Sequence, residues 1–220
     1  MESTIAKIIA NRVENDQLSA AELTVILRQL AKVLQAGVAG DVVEFGCYEG
    51  ATSLALGRLL QSQETPRQLY LYDSFVGLPE KTPQDISPVG WQFQAGELCA
   101  RRASVEQRFV RAGVPRPHIV KGWFADISPD KLPSAISFAF LDGDYYQSIS
   151  DSLRLIWPRL CAGAVVVVDD YANEALPGAA RAVDEWLQDH PVPQRVEQSL
   201  AILTIPGKNL PHSGRGHSRC

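Results

Sequence analysis

The sequence predicts an α/β domain: an open, mostly parallel sheet with helices on both faces. Three observations predict it. Short β-branched and aromatic runs alternate along the chain with stretches whose apolar residues recur at helical spacing. Phe138 to Leu141 and Val165 to Val168 are continuously apolar, as parallel strands buried on both faces are. Both runs stop on acids, Asp142-Gly143-Asp144 and Asp169-Asp170, with a helical stretch between them. A right-handed strand-helix-strand unit brings both strand ends to one edge of the sheet, where open α/β sheets bind ligands.

Composition sets the outer limits. The chain has 220 residues, 45% of them hydrophobic, enough for one substantial core. A net charge of −4 gives no electrostatic reason to expect nucleic acid or an anionic membrane as partner. The apolar runs fall short of the roughly 20 residues of a membrane span, and the N-terminus lacks a signal-peptide layout. Cys47, Cys99, Cys161 and Cys220 are scattered, so neither zinc nor a disulfide framework is indicated. A cytoplasmic location is the expectation.

Residues 1–40 are expected to be a helical segment that caps the site edge, makes an oligomer contact or packs on the sheet. Ser19 and Glu22 form a capping-box pattern, and Leu23, Ile26, Leu27, Leu30, Val33 and Leu34 give one apolar stripe ended by Gly37 and Gly40. Residues 41–207 are read as the main domain. Val42 to Phe45 is its first strand, and a helix from about Thr52 to Leu60 follows. Between them Gly46 and Gly50 frame a tight turn at a helix N-terminus, where backbone can approach a ligand. The spacing matches neither GxGxxG nor a P-loop. The next strand, Leu69 to Tyr72, ends in Asp73, placed to accept hydrogen bonds from a ribose diol. A glycine loop followed by this acid describes an adenosine-ligand site, with NAD and S-adenosylmethionine both open on these residues.

Residues 74–96 read as a long loop, in which Trp91 and Phe93 are expected to fold over a substrate or anchor the loop to the core. A helix around Val105, Phe109 and Val110 precedes a short strand at His118 to Lys121. Past it, Trp123 could lie against an adenine ring. Leu153, Ile156, Trp157 and Leu160 predict one helix that Gly163 ends. Pro177-Gly178 opens a last helix, Gln194 to Val196 and Leu200 to Ile205 form a hairpin with one antiparallel strand, and residues 208–220 are expected to be disordered.

The segments VVEFGCYEGATS (42–53), LYLYDSFVGLP (69–79), VKGWFADI (120–127), FLDGDYYQSISDSL (140–153), VVVVDDY (165–171) and PGAARAVDEW (177–186) together resemble the macrocin and mycinamicin O-methyltransferases. The novobiocin noviose methyltransferase belongs to the same family. The resemblance implies a Rossmann-like class I methyltransferase fold with a seven-stranded sheet and S-adenosyl-L-methionine as methyl donor. It also implies a magnesium ion that holds two adjacent hydroxyls of a sugar or glycosylated natural product. A catechol-like acceptor is the alternative, and a non-catalytic S-adenosylmethionine-binding protein is a further one. By the same resemblance Asp142, Asp169 and Asp170 match the metal ligands, and Asp144 matches the general base, with Asp142 beside it in the catalytic pair. Donor contacts map to Glu44, Phe45, Gly46, Tyr48, Gly50, Thr52, Ser53, Asp73, Ser74, Phe75, Gly122, Trp123 and Asp142. A homo-oligomer is implied as well. The chemistry is consistent: magnesium takes hard oxygen ligands, and a positioned carboxylate can accept a hydroxyl proton as oxygen attacks the methyl group.

Overall fold

The structure is a computed structural model that describes residues 1–13, 17–90 and 93–207. Two helices come first, α1 (Glu2–Ala10) and α2 (Ala20–Gln35). They are followed by β1 (Asp41–Phe45), α3 (Ala51–Gln61), β2 (Leu69–Asp73), α4 (Arg102–Ala112), β3 (His118–Lys121) and β4 (Ile136–Leu141). The chain continues through α5 (Tyr146–Ile156), β5 (Leu160–Val168), α6 (Pro177–Asp189), β6 (Gln194–Glu197) and β7 (Leu200–Thr204). The seven strands form one sheet in the order β3-β2-β1-β4-β5-β7-β6. All pairings are parallel except those of β7, which runs antiparallel to both β5 and β6.

Alternation along the strands splits the core into two layers. Val42, Phe138, Phe140, Val165 and Val167 face α1, α2, α3 and α4, packing with Ile8, Leu27, Leu56 and Phe109. Val43, Ala139, Leu141, Val166 and Val168 face α5 and α6, packing with Ile149, Leu153 and Val183. The Ser19/Glu22 capping box forms at the start of α2 as the sequence predicted. The N-terminal segment thus supplies part of one helical layer.

One prediction is overturned. Trp157 and Leu160 do not continue α5, and Gly163 does not stop it. Pro158 cannot continue a helix, so α5 ends at Ile156 and a short 3-10 turn covers Trp157–Arg159. Leu160 already belongs to β5, and Gly163 lies inside that strand, where the pairing with β4 shifts register between Ile136 and Phe138. Trp91 and the stretch 208–220 lie outside the described residues. Phe93 is partly buried, and its carbonyl accepts the Tyr145 hydroxyl at 2.8 Å. No helix among the described residues is long and apolar enough to cross a membrane.

Candidate active site

Backbone bonds just beyond the strand ends set the site in a row. Gly122 N–H donates to Asp73 O (2.9 Å), Gly46 to Tyr72 O (2.9 Å), Asp142 to Phe45 O (2.8 Å) and Asp169 to Leu141 O (2.8 Å). Four strands thereby deliver their C-terminal loops to one edge. Gly46 is required there: its φ is +86°, and a Cβ would overlap the carbonyl oxygen of Asp142. The loops after β1 and β4 therefore touch through bare backbone.

A cavity of about 400 Å³ opens above this row. Of the sequence-predicted residues, Glu44, Gly46, Tyr48, Thr52, Asp73, Ser74, Trp123, Asp142 and Asp144 line it. Phe45 does not: it faces the α5/α6 layer and stacks on Tyr72 at 4.4 Å. Phe75 also turns into the core, in the α1–α4 layer. Gly50 caps α3 at its N-terminus, and Ser53 donates its hydroxyl to the buried Glu44 carboxylate. Trp123 stays 39% exposed while lining the cavity, leaving an indole face available for stacking.

Asp73 has a second role that the sequence did not reveal. Its Oδ2 accepts the N–H groups of Cys47 and Tyr48, both at 2.9 Å, and its Oδ1 accepts Phe75 N–H at 2.7 Å. The carboxylate thus staples the β1–α3 loop to the end of β2. A carboxylate offers about four lone-pair sites, so one remains for a ligand hydroxyl.

The acids form a cluster. Oxygens of Asp142, Asp169 and Asp170 all lie within 4.8 Å of one another. Asp144 is buried beside them, in a tight turn where Tyr145 N–H donates to Gly143 O at 2.6 Å. Burial pushes the Asp142 carboxyl well up, and Asp169, Asp144, Asp170 and Glu44 push it further. Asp144 is raised by burial, then by Asp170, Asp169 and Asp73. Asp169 is pushed up to about 8 by burial and then by Asp170, against hydrogen bonds from the Asp170 N–H and Ser199. Asp170 is raised by burial, opposed by the Asn173 side chain. Glu44 is pushed up to about 8 by burial. Carboxylates this close favour protons or a cation over mutual exposure. An all-oxygen donor set is what a hard divalent ion such as magnesium takes, so these residues fit it.

Sequence reading missed several liners. Gln147, Ser148 and Asp151 project from the first turns of α5 into the cavity, and Leu98 reaches it from the long loop. The α5 residues carried a signal: polar positions at one- and four-residue steps directly behind Asp144. Leu98 carried none.

The fold matches the solved O-methyltransferase NovP with a TM-score of 0.73 at 22% identity, covering 87% of this chain and 83% of that one. It matches the calicheamicin methyltransferase CalS11 at 0.68 and 21% identity, covering 92% and 91%. The 8-demethyl-8-(2,3-dimethoxy-alpha-L-rhamnosyl)-tetracenomycin-C 4'-O-methyltransferase of Streptomyces olivaceus is 34% identical over 150 residues, 65% of this chain and 57% of that protein. The mycinamicin III 3''-O-methyltransferase of Micromonospora griseorubida is 29% identical over 171 residues, 74% of this chain and 66% of that protein. The matches thus span under two thirds of either relative's length. The sheet order places this chain in the Rossmann-like class I methyltransferase fold. The family profile described as macrocin-O-methyltransferase (TylF) covers residues 18–201, most of the chain, and the chain belongs to that family.

Proposed function

We propose that the chain is an S-adenosylmethionine-dependent, magnesium-assisted O-methyltransferase. Its acceptor is one hydroxyl of a vicinal diol on the sugar of a glycosylated small molecule. The observation that carries this reading is the meeting of Asp169 and Asp170 with Asp142, which lines the cavity together with Asp144, the Gly46 loop and Asp73. The relatives support the acceptor class: one is named for a rhamnosyl tetracenomycin and another for mycinamicin III.

When bound, the donor supplies an electrophilic methyl and the cation supplies positive charge that orients adjacent oxygens and eases loss of a proton. Around the donor, Asp73 offers its remaining lone pair to a ribose hydroxyl, Trp123 offers its exposed face to adenine, and the α3 N-terminus borders the same cavity. Asp142, Asp169 and Asp170 would hold the cation. Asp144 faces the cavity and takes the proton of the attacking hydroxyl. Val13 and Gln17 also line the cavity, so part of the N-terminal segment borders the site. A homo-oligomer is proposed from the family resemblance alone.

The test titrates S-adenosylhomocysteine and then magnesium into the wild type and Asp169→Asn, with turnover measured on sugar and catechol diols. Donor-product binding, a magnesium signal absent from the variant and methylation of a sugar diol are expected. Donor-product binding without any magnesium signal would sink the metal-assisted reading while keeping the fold's ligand. Methylation of catechols alone would move the acceptor class.

A further inference from the structure

The cluster does not end with the aspartates. Glu22, in the first turn of α2, accepts Ser19 N–H through Oε2 at 2.8 Å, completing the capping box. Its other oxygen is not needed for the cap. Oε1 instead accepts the Ser199 hydroxyl at 2.6 Å, and the same Ser199 Oγ lies 3.3 Å from Asp169 Oδ1. Three remote segments meet at this hydroxyl: the start of α2, the end of β5 and the β6–β7 turn.

Ser199 is itself fixed. Its carbonyl accepts Ala172 N–H at 2.9 Å, and the preceding Gln198 holds a left-handed φ of 57°, a conformation a non-glycine residue keeps only where its surroundings impose it. Asp169 Oδ1 also accepts Asp170 N–H at 2.9 Å. One oxygen of Asp169 is therefore tied on both sides, by a backbone amide and a serine hydroxyl, while Oδ2 is left for a ligand. The single proton of the Ser199 hydroxyl is shared between two acceptors, closer to Glu22 than to Asp169, so the hydroxyl bridges the two carboxylates at a fixed separation. A cap alone would not bring a third chain segment's carboxylate to this place.

We infer that Ser199 and Glu22 are positioning residues for Asp169. Through them α2 and the β6–β7 turn set the affinity of the site for a divalent cation. This rests on the metal-assisted reading above. Groups that orient a metal ligand typically alter affinity by ~10–100-fold when removed.

The experiment uses manganese as the probe. Its binding to the full chain, saturated with S-adenosylhomocysteine, is followed by paramagnetic resonance and calorimetry in wild type, Ser199→Ala, Ser199→Thr, Glu22→Gln and Asp169→Asn. Ser199→Ala should weaken manganese by about tenfold or more, with donor-product affinity unchanged. Ser199→Thr keeps the hydroxyl and should restore most of the binding. Combining Ser199→Ala with Glu22→Gln should cost little beyond the serine change, because both act through one oxygen. Wild-type manganese affinity in a folded Ser199→Ala, alongside loss in Asp169→Asn, would overturn the bridge and leave the metal reading standing. Unchanged affinity in Asp169→Asn would overturn the metal reading itself.

Discussion

Asp144 and Asp170 both have left-handed backbone, with φ of 57° and 58°, as do Tyr48, Phe75 and Leu98 on neighbouring loops. Each such residue costs free energy, of order 1–3 kcal/mol, that surrounding contacts must offset. Here the turn aims two carboxylates into one small volume. Asp144→Asn keeps the shape and removes the basic oxygen, so turnover should fall by ~10²–10⁴-fold while calorimetric binding of S-adenosylhomocysteine stays at the wild-type value. Full activity in that variant would rule out the proton-acceptor role. The acids at strand ends could be read from the sequence because a strand's last residue has a predictable place. The three N–H groups on Asp73 could not, because their directions depend on how loops from β1 and β2 fold against each other.

Elements were legible where local signals agreed, and misread where one residue outweighed a pattern. The apolar spacing from Leu153 to Leu160 looked helical, yet Pro158 ended α5 at Ile156, and Leu160 already opens β5. The long loop between β2 and α4 could be recognised only as a loop, since its anchors are tertiary. Asp85 sits buried in a short 3-10 turn of that loop; its Oδ1 accepts Tyr146 N–H at 2.7 Å and its Oδ2 the Thr82 N–H at 2.8 Å. It thus caps α5, whose own N-cap residue supplies no side-chain bond. Gly178, early in α6, leaves the space that Asp85 occupies, and a Cβ there would overlap its Oδ1. Gly178→Ala should therefore cost about 1–3 kcal/mol of stability. It should also raise amide hydrogen exchange across residues 74–90 and 93–101. Wild-type exchange there would show that Asp85 does not pin the loop.

Across the whole molecule, alternation of strand and helix was enough to predict the layered parallel sheet, while the count of seven strands needed the family resemblance, and the strand order is a matter of tertiary pairing. The buried acids give that sheet a pH signature. Asp169 and Glu44 are pushed up to about 8, above the roughly 4 of an unfolded carboxyl. The folded chain then binds protons more tightly than the unfolded one. The contribution is fully present below about pH 4 and is lost as pH rises toward 8. With chelator present, melting temperature should fall between pH 6 and pH 8.5, and added magnesium should recover more of it at the higher pH, where the ligands are already deprotonated. A flat or rising profile in chelator would contradict the burial described for these groups. The bare contact between Gly46 and the Asp142 carbonyl carries a last consequence, for redesign. The β1–α3 loop and the acid loop cannot be altered independently at this point, because a side chain at Gly46 would displace the Asp142 backbone. Leu78, Pro79, Leu98 and Gln17 line the same cavity from outside these two loops, so under the proposed function they are the positions to vary when a different acceptor is sought.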